Sequence, residues 1–171
     1  MSLTYPNSNC EFKPSLAFFL GEFDIYDREE SLGEYLNRFD PNDRKQVRLL
    51  SEKLFFNGAR VKSLTAEHKK VLFELLVEAL GEPDHDFRSV FEMDEDDCFC
   101  LPFDWEINDY RLFFEEFYRL AIDHWSEELR ALNVTLPELQ ALNIHLRMCG
   151  LTNLASSRTV GKVVSVRYVR R

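Results

Sequence analysis

The chain has 171 residues, a net charge of −9, 45% hydrophobic residues and fifteen phenylalanines. That size suits one domain burying roughly 70% of the surface its unfolded chain exposes, and so many large apolar side chains exclude a disordered chain. No run of about eighteen apolar residues could span a bilayer, and the opening MSLTYPNSNCEFKP lacks the basic and apolar regions of a secretion signal, so a cytoplasmic protein away from membranes is expected.

Residues Met1 to about Asn9 are expected to be loosely ordered, followed by a short helix near 14–20, a strand at Phe23–Tyr26 and a second short helix near 30–39. In FDPNDRKQVRLLSEKLFF, Asp40 is placed to accept a hydrogen bond as N-cap, and Pro41 suits the first helical position because its missing N–H would be unpaired anyway. A helix over 41–56 follows, with Val47, Leu50 and Leu54 on its apolar face and Asn57-Gly58 as its end. Arg60–Leu64 reads as a strand. In TAEHKKVLFELLVEALGEP, Thr65 caps a helix whose apolar stripe is Val71, Leu72, Leu75, Leu76 and Ala79, stopped by Gly81 and Pro83.

A short helix near 84–92 and a strand at Cys98–Phe103 precede the longest amphipathic pattern. There Asn108 is the expected cap, and Phe113, Phe114, Phe117, Ala121, Trp125, Leu129 and Leu132 run for six turns. Leu112, Tyr118, Leu120 and Ile122 widen that stripe, the mark of a central helix. Thr135 and Glu138 have the spacing of a capping box for a last helix ending at Gly150, and KVVSVRYVR near the C-terminus is the strongest strand signal. The predicted fold class is α+β, predominantly α-helical: a single globular domain, 1–171, of about five to seven helices with a small β-sheet that includes a C-terminal strand.

All thirty carboxylates lie at or before Glu138, against fifteen Lys and Arg, which leaves that part at −15; residues 139–171 hold six bases and no acid. Such a dipole bears on partners and association rates rather than on fold. Seven of the carboxylates fall in EMDEDDCFCLPFDWE, residues 92–106, with two cysteines, two phenylalanines and a tryptophan. A fifteen-residue gap between helices is long enough to point to function.

Spacing argues against the metal chemistries that this segment first suggests. A calcium loop started at Asp94 would place Phe99 where glycine is required. A structural zinc site usually shows C-x2-4-C pairs, whereas Cys98 and Cys100 point to opposite sides of an extended segment, and Cys149 or His85 could join them only through folding. Asp94, Glu95, Asp96 and Asp97 are adjacent and cannot converge on two metals as separated motifs do. Glu82-Pro83-Asp84-His85 supplies one Glu-x-x-His where a di-iron bundle needs two. No nucleophile elbow, phosphate loop or dinucleotide fingerprint is present, so neither cofactor nor metal is expected. His124 beside Asp123, Glu127 and Glu128, and His145 with Cys149, are the nearest approaches to a catalytic group.

The expected function is therefore a non-enzymatic acidic module that binds a basic protein partner, with the profile of a bacterial immunity or antitoxin-type inhibitor of a nuclease-like toxin. Its binding residues would be Glu92, Asp94, Glu95, Asp96, Asp97, Phe99, Phe103, Asp104, Trp105 and Glu106. Phe99, Phe103 and Trp105 would share one face if the segment is extended. The alternatives are a hydrolase with a non-local Asp/Glu/His site and a nucleic-acid-binding regulator using Arg158, Lys162, Arg167, Arg170 and Arg171. A surface at −15 repels phosphates, which makes nucleic acid the weaker partner.

Overall fold

The computed structural model describes residues 3–92 and 99–142. Its main elements are helices: α1 (Glu34–Leu36), α2 (Arg44–Leu50), α3 (Ala59–Lys62), α4 (Ala66–Gly81) and α5 (Tyr110–Ala131). Two π-helical turns, Glu29–Gly33 and Ser51–Phe56, lead into α1 and out of α2, and 3₁₀ turns span Leu16–Phe19, Gly21–Phe23 and Arg88–Val90. Leu139 begins a further helical turn. No described helix is long and apolar enough to cross a membrane.

The small sheet of the predicted α+β class is not found: the described residues contain no β-strand, only an isolated antiparallel bridge between Thr4 and Glu11. Arg60–Leu64 is not a strand: Arg60–Lys62 belong to α3, which is entered through an extended Gly58, and Ser63 is its C-cap. Phe23–Tyr26 and Cys100–Phe103 do come together, through a single backbone hydrogen bond from Ile25 N to Cys100 O (2.7 Å). The pairing goes no further there because the Asp24 carboxylate takes the Cys100 amide (3.0 Å), which a ladder would give to a backbone carbonyl. The expected C-terminal strand, Gly150 and the rest of the last helix lie outside the described residues.

Helix starts follow side-chain capping. Asp40 accepts from Asn42 N in a local turn, and Asp43 instead caps α2 by accepting from Lys45 N, so that helix begins three residues later than its proline suggests. Beyond Leu50 the wider π turn rotates the buried face from Leu54 to Phe55 and Phe56. The chain turns sharply at Gly58, where a Cβ would sit 2.4 Å from Leu54 O. Helix α4 opens on a capping box in which His68 stands where Glu is usual: its Nδ1 accepts from Thr65 N (3.3 Å), while its Nε2–H reaches Thr4 O (2.7 Å). Helix α5 is capped by Asp109, which accepts from Leu112 N, rather than by Asn108. The box at Thr135 does not form: Pro137 holds Leu136 out of helix, and Glu138 O accepts the first helical bonds, from Ala141 N and Leu142 N.

One hydrophobic cluster runs from Phe12 to Leu129, with α5 at its centre. Phe117 is fully buried, its ring 5.2 Å from those of Phe19 and Phe55 and about 6 Å from Phe23, Phe56 and Phe113. Edge-to-face geometry recurs among these rings, each such pair adding about 0.5–1.5 kcal/mol beyond the area it buries.

Candidate protein-binding surface

The described part of the acidic segment is anchored at four points. Trp105 packs between Phe23 and Phe113, both rings 6.0 Å away, and its indole N–H donates to Leu36 O (3.2 Å). Asp104 accepts from Asn37 Nδ2 (3.0 Å). Asn42 donates to Glu106 O (2.7 Å) and accepts from Asn108 N (2.8 Å). Cys100 is buried beneath, its thiol pushed up by burial and then by the charges of Asp24 and Glu29, which keeps it a neutral thiol.

These anchors part the three rings that an extended strand would have aligned. Trp105 N donates to Pro102 O (3.0 Å), closing a turn at whose tip sits Phe103. Phe99 and Trp105 pack against the core, while Phe103 is 75% exposed. Glu92, also exposed, is paired with Arg88 (3.0 Å), and the side chain of Glu106 faces solvent. Asp94, Glu95, Asp96 and Asp97 lie outside the described residues, as do Cys98, Cys149, His145 and the five basic residues Arg158, Lys162, Arg167, Arg170 and Arg171.

A second acidic segment joins the first. FDIYDREESLGEYL carries five carboxylates, Asp24, Asp27, Glu29, Glu30 and Glu34, against Arg28 alone. The Ile25–Cys100 and Asp24–Cys100 bonds hold it alongside the Phe103 turn. Four of those carboxylates are exposed, and Tyr26, 47% exposed, stands among them. Sequence reasoning passed over this segment because its acids are interspersed with apolar residues. Their density over eleven positions was the available signal.

The same holds for a buried charge cluster on α5. Glu115 and Glu116 sit in FFEEF, where an acid interrupts an apolar run, with arginines four residues before and four residues after the first of them. Arg44 bridges the two carboxylates (3.1 and 3.3 Å), Arg119 does so from the next turn of α5, Arg111 approaches Glu115, and Arg48 approaches Glu116. The cluster ties α2 to α5.

The three described histidines do not converge. His68 is buried as a cap against Phe12, His85 pairs with Glu82 (3.1 Å), and His124 stacks on Phe56 with Glu52 3.6 Å from its Nε2. Asp123 and Glu128, expected beside His124, are engaged by Arg48 and Lys69 instead. Among the described residues no group of three or more His, Cys, Asp or Glu is arranged to hold a metal ion. No family model matches the chain, and no curated protein or solved structure matches it either.

Proposed function

We propose that the protein is a non-enzymatic binding module that captures a basic protein partner on the surface formed by residues 24–34 and 102–106. The observation that carries this reading is Phe103: a large apolar ring, three-quarters exposed, on a turn fixed to the core and set beside exposed carboxylates. Burying such a ring contributes on the order of 1.5–3 kcal/mol, and the surrounding carboxylates supply attraction at a distance and select against acidic surfaces. A small acidic inhibitor that covers the cationic substrate site of a nuclease-like toxin, as in bacterial immunity and antitoxin proteins, fits this combination of ring and charge.

The test is affinity purification from the source cell with the intact protein as bait, in parallel with Phe103→Asp and with Asp27→Lys/Glu30→Lys. The expected result is a partner with a basic surface, held less well as salt rises and lost by at least about tenfold in each variant, since an interface anchor is worth 2 kcal/mol or more. All three substituted side chains, Phe103, Asp27 and Glu30, are exposed, so thermal stability should hardly change. Equal recovery of that partner by the variants would overturn the reading.

A further inference from the structure

A second surface lies along the connection between α4 and α5. From Glu78 to Glu92 the sequence holds five Asp and Glu and one base, Arg88. Two adjoining hollows of about 390 and about 130 Å³ open beside it and share Leu16 in their walls. Their lining combines the apolar Leu16, Val90 and Phe99 with the exposed carboxylates Glu78, Glu82 and Glu92. Glu82 and Glu92 each have one local partner, His85 and Arg88.

The described chain ends beside this groove. Leu142 packs against Gly81 at the end of α4, its Cδ2 4.0 Å from where a Cβ would stand, and Glu82 follows directly. Residues 143–171 hold six bases and no acid, and in the last ten, KVVSVRYVRR, five Val or Tyr residues are mixed with four bases. An extended chain covers roughly 3.3 Å per residue, so the sixteen residues from Leu142 to Arg158 can span about 50 Å, more than the groove demands.

We propose that residues 158–171 of this same chain occupy the groove, with Val and Tyr side chains over Leu16, Val90 and Phe99 and the bases against Glu78, Glu82 and Glu92. The apolar and the acidic lining residues match that composition in kind and in sign. The tether raises the effective concentration of the segment to the millimolar range, so exposed ion pairs that would be weak between separate molecules suffice. The groove and the Phe103 surface use different residues, so one can hold the C-terminal segment while the other stays open to a partner. A C-terminal segment held this way has its bases engaged, which opposes a phosphate-binding role for it.

Lys162 gives a direct probe, because it is the one lysine beyond Lys70. Carbodiimide coupling of the full chain at low protein concentration, followed by proteolysis and mass spectrometry, should join Lys162 to Glu78, Glu82 or Glu92 within monomers. The yield should fall about tenfold in Glu82→Lys/Glu92→Lys, each reversed pair shifting the equilibrium a few-fold, and should fall in the unsubstituted chain at about 1 M salt. Lys162 joined chiefly to other carboxylates, joined to a second chain, or not joined at all would overturn the proposal. So would a yield indifferent to salt. Partner capture is read separately through Phe103→Asp, so failure of either proposal leaves the other standing.

Discussion

Replacing Glu116 by Gln tests whether the buried charge cluster holds α2 on α5. The Glu116 side chain is 5% exposed; its Oε1 lies 3.3 Å from both Arg44 Nη1 and Arg119 Nε, and its Oε2 lies 3.9 Å from Arg48 Nη1. Removing one partner of a fully buried pair costs about 3–5 kcal/mol, because the remaining charge is stranded. The three arginines here are 37–47% exposed, so each can turn toward water, and an exposed pair is worth at most about 1 kcal/mol. Gln also keeps the volume and one acceptor. The expected loss therefore lies between these limits, near about 2 kcal/mol, which for a chain of this length lowers Tm by about 4–8 °C. Urea unfolding followed by the fluorescence of Trp105 and Trp125 measures it, and the Arg44→Met single and double variants close a cycle. A loss below about 0.5 kcal/mol, or single effects that add within about 0.3 kcal/mol, would refute the assignment of stability to this cluster.

Two further outcomes follow from single positions. Burial pushes the Tyr118 hydroxyl up to about 12, and the group donates to Pro137 O, whereas in the unfolded chain it ionises near 10. Its contribution is thus complete below about pH 10 and is lost as pH rises toward 12, so urea midpoints should fall more steeply over that window than in Tyr118→Phe; parallel curves would contradict this. Gly58→Ala places a Cβ 2.4 Å from Leu54 O, a backbone atom that cannot swing aside, so a thermal melt should show a loss of at least about 1 kcal/mol. An unchanged melt would mean that the turn after Phe56 opens at little cost.

The long helices were legible because two independent signals coincide in them. In α4 and α5 an apolar period of 3.6 continues for several turns and a capping residue stands at the start, so an error of one residue in the cap, Asn108 for Asp109, leaves the face unchanged. The start of α2 was misplaced because Asp40 and Asp43 are both competent caps, and only the fold decides which carboxylate meets which amide. Arg60–Leu64 is too short for either period to show, and Val61 is its one β-branched residue; with Gly58 extended and Val61 buried, Arg60–Lys62 fall in the single turn of α3. The sheet failed for a different reason. Neither Phe23–Tyr26 nor the described part of Cys98–Phe103 is a strand: Phe23 ends a 3₁₀ turn, Tyr26 and Phe103 lie in turns, and beyond the one Ile25–Cys100 bond the Cys100 amide goes to the Asp24 side chain rather than to a carbonyl. Acidity of the candidate surface could be read directly. Which ring projects from it could not, since that rests on the Pro102–Trp105 turn and on Trp105 finding both Leu36 O and the core.

That turn also bears on why an exposed ring at position 103 suits recognition. Ordering a loop on binding costs free energy that subtracts from affinity, and each immobilised rotamer-rich side chain adds about 0.5–1.5 kcal/mol to that cost. Here much of the ordering is already in place on the free protein. Trp105 is pinned by two rings and a carbonyl, Asp104 by Asn37, and the following backbone by Asn42, which itself caps nothing and bridges Glu106 to Asn108. On the other side, Cys100 is fixed to Ile25 and Asp24. Phe103 needs to surrender only its own two side-chain torsions, so most of the hydrophobic gain from covering it is retained as affinity. Loosening the turn without touching the ring, as in Asn42→Ala, should weaken partner capture by a few-fold through ordering cost alone, and a ring that binds equally well on the loosened turn would show that its rigidity is incidental.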